Sequence, residues 1–476
     1  MTPSGKTATN CPQCFELSQQ LARLQERLAV LEAELAAAKK NSRNSSKPPS
    51  SDITNPPPDK SANGKRGKKR DGSKRKPGGQ PGHDRHLRPL VPEDDLDGAF
   101  EYHAQECPHC GGDVVPTDEP PRITQQIELV ISPVVTEHRA MAVWCHACQL
   151  THYTPLPEDV RKAGLCGPLL RSMIAYLKGP MHASYTMVRD FLRDVCGIGL
   201  STGYLAKVCR SVSGILEGTY EELLQSLREQ PILNIDETGH KEKGRRLWTW
   251  VFRSALFSLF RIDESRGSQV LVDVLGKAFA GVIGCDYFSA YRKFMGDFDV
   301  LLQFCLAHLI RDLKFLAEHP DKRNRRYGKR VLKAVRELFS LFHRRDDYPA
   351  DEFAGKLEDS GNLVLGEAIT RVPNIRESQN LANRFRLHGD SYLRFITTPG
   401  IDPTNNVAEQ PIRFVVIDRK MTQGTRSEWG RRWLERIWTV IATCRQRGRS
   451  PFEFLSSAVS AWLGGLSPPT LLPLSQ

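Results

Sequence analysis

Two aspartates and one glutamate carry the chemistry this chain is able to do. Asp236 follows Ile232, Leu233 and Ile235 in PILNIDETGH, and Asp286 follows Val282 and Ile283 in GVIGCDYFSAY, each where the apolar part of a strand ends. A lone Asp at a strand end is ordinarily a turn or cap residue. Two of them on neighbouring strands would repel unless a cation lay between them, and oxygen ligands suit Mg2+ or Mn2+. A third carboxylate would complete a site for two metal ions about 4 Å apart, one activating an attacking oxygen, the other stabilising the leaving oxygen of a phosphodiester. Glu409 in TNNVAEQPIR is the candidate, and it is equally able to be a surface acid paired with Arg413 one turn on. DPTNN reads as a turn with capping residues, and Pro411 is tolerated in a first turn, so Glu409 is expected at the start of a helix. Spacing alone does not bring it to the two aspartates.

The elements around these acids are legible. PILNIDETGH, RRLWTWVFRSA and LFSLFRIDES predict a β-meander, SQVLVDVLGK a helix and GVIGCDYFSAY a buried strand. Strand, strand, strand, helix, strand is the ribonuclease H-like order. Glu409 lies 123 positions after Asp286, which implies an inserted domain, and the segment from Arg311 to Ile396 is helical in period and basic in KRNRRYGKRVLKAVRELF. His308 in CLAHLIRDL is a possible general base, though packing or orienting a neighbour is the commoner role for such a residue.

The front of the chain reads as equipment for holding DNA. Leucines at 17, 21, 24, 28, 31 and 35 alternate steps of four and three, as a coiled-coil seam requires. With Leu21, Leu28 and Leu35 at a positions, Arg27 falls at g and Glu32 at the following e, the geometry of a parallel dimer. From Asn41 to Leu90 there are 13 Lys and Arg against four Asp, so this stretch holds +9 of the chain's +12. It has almost nothing to fill a core and is expected to be disordered and to lie along phosphates, through Lys65, Arg66, Lys68, Lys69, Arg70, Lys74, Arg75 and Lys76. CPHC (Cys107, Cys110) and CHAC (Cys145, Cys148), separated by 34 residues, have the spacing of a four-thiolate structural zinc site. The intervening runs RITQQIELVI and HRAMAVWC read as strands of a zinc ribbon. Beyond Gly164 the period turns helical, and Ser201 caps a second helix, TGYLAKVCRSV, after a break at Gly197 to Gly199; this predicts a helix-turn-helix with Lys207 and Arg210 facing DNA. No apolar run reaches the length of a membrane span and no signal peptide is evident, so a cytoplasmic protein is expected.

NSRNSSKPPSSD after a leucine zipper, the paired CxxC knuckles, NIDETGH, GCDYFSAY, CLAHLIRDL and TNNVAEQPIR together resemble the insertion sequence 66 family of DDE transposases over nearly the whole chain. In that family the first acid lies in Asp-Glu-Thr, which fits Asp236, Glu237 and Thr238. The second lies in a motif with a Tyr five residues on, which fits Asp286 and Tyr291. The third lies in Asn-Asn-x-Ala-Glu, which fits Asn405, Asn406, Ala408 and Glu409. The resemblance implies that Asp236, Asp286 and Glu409 are catalytic metal ligands. The chain departs from the pattern in two places: Cys285 and Phe288 replace the His and Trp that usually surround the second acid, and Gln410 stands where Arg commonly follows the third. Neither change removes a ligand. The tail KMTQGTRSEWGRRW also resembles the family's, with Lys420, Arg426 and Arg431 in reach of phosphate.

The expected architecture is a multidomain α+β chain. It comprises a leucine-zipper coiled coil (1–40), a basic linker (41–90), a zinc ribbon (91–158) and a helix-turn-helix-like domain (159–228). A ribonuclease H-like α/β catalytic core (229–430) with a helical insertion (about 315–396) follows, then a helical tail (431–476). The expected activity is metal-dependent DNA cleavage and strand transfer, with Mg2+ (or Mn2+) at the acids and structural Zn2+ at the cysteines. Expected partners are the element's terminal repeats, target DNA, a second copy of the chain and accessory transposition proteins. A DNA-binding repressor without turnover and a nuclease that cuts without joining are the alternatives.

Overall fold

The computed structural model describes residues 12–38, 40 and 88–473. The basic cluster from Lys65 to Lys76 lies outside the described residues. The chain divides into two units, Asp59–Val134 and Met1–Pro58 with Val135–Gln476, each taken here by itself.

In the smaller unit the chain from residue 88 to 134 is held by turns rather than by a sheet. The Gln125 side chain reaches back to the main chain of Val91, accepting from its N–H at 2.7 Å and donating to its carbonyl at 2.9 Å. The run RITQQIELVI, expected as a strand, forms none: residues 122–131 pair with no neighbour, and Ile123, Ile127, Leu129 and Val130 are exposed. Alternation sets which face a strand would bury but supplies no partner, and an unpaired strand has no ladder to stabilise it.

The larger unit begins with α1 (Pro12–Ala38), whose leucines 17, 21, 24, 28, 31 and 35 are all exposed. Two residues on, Lys40 Nζ sits 4.1 Å over the ring of Phe315. The short hairpin β1 (Ala142–Cys145) and β2 (Leu150–Tyr153) closes around the CHAC turn, so only the end of HRAMAVWC is a strand. Five helices follow: α2 (Glu158–Ala163), α3 (Pro168–Lys178), α4 (Tyr185–Asp194), α5 (Thr202–Ile215) and α6 (Glu217–Leu227). Ser201 caps α5, accepting from the N–H of Tyr204 at 3.2 Å, and α5 buries Leu205, Val208, Cys209 and Val212.

Next come β3 (Ile232–Glu242), β4 (Arg245–Arg253), β5 (Ser258–Asp263), α7 (Gln269–Leu275) and β6 (Val282–Cys285), the order read from the sequence. Then α8 (Ser289–Phe298) and β7 (Leu301–Phe304) complete a five-stranded sheet of order β5-β4-β3-β6-β7. The central β4 of the meander runs antiparallel to both β3 and β5, while β6 and β7 run parallel to β3. All four β6 residues are buried, as a parallel strand covered on both faces requires. The insertion consists of helices α9 (Leu306–Ala317), α10 (Lys322–His343), α11 (Ala350–Ile369) and α12 (Arg376–Thr397), the last kinked at His388.

The chain returns to the sheet in α13 (Asn406–Thr422), which packs along β3 and β4, and ends in α14 (Glu428–Gln446) and α15 (Pro451–Leu463). Pro411 is buried in the second turn of α13 rather than in its first, while Glu409 is in the first. The edge strand β5 is covered by α14 through polar side chains. Glu435 Oε1 accepts from Ile262 N at 2.7 Å, Thr439 Oγ1 from Phe260 N at 3.0 Å and Thr443 Oγ1 from Ser258 N at 3.2 Å. Residues four apart on the helix meet alternate residues of the strand, so the open edge is satisfied without another strand.

Candidate active site

The pairing of β3 with β6 aligns Ile232 with Val282, Leu233 with Ile283 and Asn234 with Gly284. The constant offset of 50 brings Asp236 and Asp286 to the same height on adjacent parallel strands, Asp286 one residue beyond the end of β6. Asp286 is turned back by an Asx turn, its Oδ1 accepting from Phe288 N at 2.9 Å, and Asp236 Oδ1 accepts from Glu237 N at 2.9 Å.

Glu409 is brought there by asparagines. Asn405 Nδ2 donates to the carbonyl of Ile235 at 2.8 Å, and Asn234 Nδ2 donates to Asn405 Oδ1 at 3.0 Å. These bonds fix the start of α13 to β3 one residue before Asp236. Gly284 makes the arrangement possible: a Cβ there would lie 2.4 Å from Asn234 Nδ2, so only glycine leaves the Asn234 amide its path across β6.

Asp236 feels the other two acids. Burial raises the pKa of Asp236 well above the carboxylate range, with Glu237, Asp286 and Glu409 adding to the rise. Burial, then Glu237, pushes Asp286 up to about 7. Glu409 Oε1 is buried and accepts no hydrogen bond; Arg311 lies 3.7 Å and the His308 ring 3.9 Å from it, with Arg413 3.9 Å from Oε2. Among the described residues no three His, Cys, Asp or Glu already converge in coordinating geometry. Buried carboxylates that raise the pKa of Asp236, with one buried oxygen of Glu409 unused, leave negative charge that the fold itself does not offset. The pairing of Glu409 with Arg413 also exists, but Arg413 is largely exposed and the contact is long.

Sequence reasoning missed the role of Glu237. Its buried side chain accepts from Arg266 Nε at 3.0 Å and Nη2 at 2.7 Å on one oxygen, and from the Tyr291 hydroxyl at 2.5 Å on the other. Arg266 is itself held between the rings of Trp248 and Phe288, at 4.5 and 3.9 Å. Glu237 is thus fully partnered, and it ties β3, the loop before α7 and α8 together around the two aspartates. The only signal for it was that DET places two acids in a row on a strand, where they must point to opposite sides.

The other expected site residues are spread more widely. Lys207 and Arg210 lie on the exposed side of α5, with Arg210 4.8 Å over Trp429. Lys420 and Arg426 are exposed at and after the end of α13, whereas Arg431 is turned inward to Glu242 at 3.7 Å. His308 is mostly buried, and burial and Arg311 lower its pKa. Cys107 and Cys110 belong to the smaller unit, Cys145 and Cys148 to the larger. Within each knuckle, main-chain N–H groups point at the first sulfur, those of His109 and Cys110 at Cys107 and those of Cys148 and Ala147 at Cys145, and lower its pKa. That environment favours a thiolate. Cys148 Sγ also lies 3.1 Å from His152 Nε2. No helix among the described residues is long and apolar enough to cross a membrane.

Comparison with known proteins gives two family matches. The family described as Transposase IS66 family matches residues 163–432, and a family of unknown function, DUF6444, matches residues 8–89. Two proteins of Sinorhizobium fredii, both described as uncharacterized, are similar. The one called y4hP is 25% identical over 74% of this chain and 70% of its own length. The other, y4qI, is 22% identical over 60% of this chain and 58% of its own length.

Proposed function

Because the chain belongs to the IS66 family of transposases, matched over more than half its length, we propose that it cuts DNA at the ends of a mobile element and joins the freed ends to target DNA. In this reading Asp236, Asp286 and Glu409 hold Mg2+ or Mn2+ on a ribonuclease H-like core. The observation that carries it is the register of β3 and β6, which sets Asp236 and Asp286 side by side, with Asn405 tethering the helix of Glu409 to the same strand. The strand order β5-β4-β3-β6-β7 supports the same core.

Asp236, Asp286 and Glu409 would hold the divalent ions, whose chemistry when bound would be to activate a water or 3′-hydroxyl and to offset charge on the phosphodiester. The protein's own groups do the rest. Asp236 and Asp286 present oxygens from two rigid strands. Arg311, near Glu409, is in position to meet phosphate oxygens, and Glu237 with Tyr291 and Arg266 keeps the strand carrying Asp236 from shifting. No side chain needs to form a covalent intermediate. The exposed leucine seam of α1 supports pairing of two copies, and the basic segment from Lys65 to Lys76, with Lys207 and Arg210, supports DNA contact.

The test is movement of a marker flanked by the element's own ends in a bacterial host. Asp236→Ala, Asp286→Ala and Glu409→Ala should each abolish movement while end binding persists. A Glu409→Ala protein that still moves the marker as well as the intact one removes Glu409 from the ligand set. A DNA-binding repressor would show binding and no movement with the intact protein.

A further inference from the structure

Between the first half of α13, the second half of α14 and the end of β4 lies a cavity of about 370 Å³, beginning at Gln410, the residue after Glu409. Its volume is in the range of small-molecule sites, roughly 300–1,000 Å³. Arg253 and Arg445 both line it, and no Asp or Glu does. Among the described residues neither guanidinium has a carboxylate partner or a hydrogen bond. Arg253 is partly buried, and its pKa is lowered by burial alone, with no acid offsetting it. Arg253 is half-buried and Arg445 is exposed at the rim, so the cavity carries positive charge with no acid in its lining, and the unpaired half-buried guanidinium is the one an anion would relieve.

The rest of the lining is not that of a bare anion site. Pro411, Phe414 and Ile441 make an apolar wall. Arg445 lies over the Phe414 ring at 5.0 Å, and the ring of His182 packs against the same residue at 4.4 Å. A guanidinium over an aromatic ring keeps donors free for phosphate. Gln410 is exposed at the mouth with its amide uncommitted, whereas Gln446 is held by the carbonyls of Ser254 and Ala255 and is part of the wall.

We infer that this cavity binds one nucleotide unit, its phosphate on Arg253 and Arg445 and its base against the apolar wall beside Gln410. Resting on the reading of the chain as a DNA-cutting enzyme, the natural source of that unit is an unpaired nucleotide of the DNA strand next to the acids. A free nucleotide has the same chemistry.

The test is site-resolved protection of arginines from phenylglyoxal in the full-length protein without divalent metal, read by peptide mass mapping. The probes are a short single-stranded oligodeoxynucleotide, free dAMP and inorganic phosphate. With the oligonucleotide at about ten times its Kd, modification of both Arg253 and Arg445 should slow about tenfold, and Arg253→Gln should remove the protection of Arg445. Protection by the oligonucleotide alone supports the DNA strand as the source; equal protection by dAMP supports the site with a free nucleotide in it. Phosphate protecting as well as either overturns the proposal in favour of a bare anion site. No protection by any probe, in protein whose unfolding midpoint is normal, overturns it outright. Repeating the oligonucleotide arm in Asp236→Ala separates this site from the catalytic reading, since protection there requires no strand cutting.

Discussion

Asn405 grips the carbonyl of Ile235 through its Nδ2 at 2.8 Å, and this one bond joins the helix that carries Glu409 to the strand that carries Asp236. Asn405 is 2% exposed, so the bond is made away from water and its loss leaves a carbonyl stranded. Asn405→Ala should therefore cost about 1–3 kcal/mol of stability. It should also lower strand cutting by about a hundredfold, because about 1 Å of misplacement is enough to do so. Asn405→Asp, which keeps the shape and loses the donor, should be as damaging. A variant with normal cutting rates would detach Asn405 from the placement of Glu409.

Gly284→Ala tests the same clamp from the neighbouring strand. The added methyl group falls on the Asn234 amide, so the bond from Asn234 to Asn405 must break or β6 must shift. Cutting should drop by at least about tenfold with a stability loss of about 1–3 kcal/mol, the range for forcing extra volume into a packed site. The combination Gly284→Ala with Asn234→Gly relieves the clash but not the lost bond, and it should regain stability more than activity.

Tyr291→Phe removes one donor from Glu237 and leaves Arg266 in place. A loss of about 1–3 kcal/mol in thermal unfolding is expected, as for a hydrogen bond to a charged group. Glu237→Gln should cost more, since Arg266 then loses its counter-charge. If Glu237 only positions the strand, both variants will keep the intact protein's preference between Mg2+ and Mn2+, and a changed metal preference would make Glu237 a ligand.

Asp286 sets a pH dependence. Its pKa, raised to about 7 in the fold, is ordinary in the unfolded chain, so the folded state holds the proton more tightly. Stability therefore falls as pH rises from about 4 to about 7 and the cost is complete above that, the reverse of a salt-bridged carboxylate. In EDTA the melting midpoint should fall by a few degrees on account of this group between about pH 5 and about pH 8. Millimolar Mg2+ should raise the midpoint at the higher pH and hardly at all at the lower. Asp286→Asn should flatten both responses.

Thr439→Val and Thr443→Val keep the shape of α14 and remove acceptors for Phe260 and Ser258 on the edge strand. Each should destabilise by about 1–3 kcal/mol, the cost of a buried N–H left unpaired. Denaturant midpoints of the two single variants and the double one are the measurement; two neutral substitutions would mean that water reaches the β5 edge.

The strands and helices around the site were legible because each has a clean period: the meander before α7, the buried β6 and the helical insertion all follow from apolar spacing. Periodicity failed at RITQQIELVI, where alternation was present and a pairing strand was not. Arg431, read from the resemblance of the tail as able to reach phosphate, faces Glu242 instead.

By itself, the sequence determined the local preferences: which segments are strands or helices, that Asp236 and Asp286 end apolar runs, and that Glu409 begins a helix. Local sequence acts over a turn or two of chain, so it has no means of fixing distances across 170 or 171 positions. The tertiary structure decided those. Pairing of β3 with β6 levelled the two aspartates, Gly284 left a gap one methyl group wide for Asn234, and Asn405 used that gap to bring Glu409 to the strand. Glu237 met Arg266 and Tyr291 for the same reason: successive residues of a strand face opposite ways, and only packing decides which of them meets the arginine.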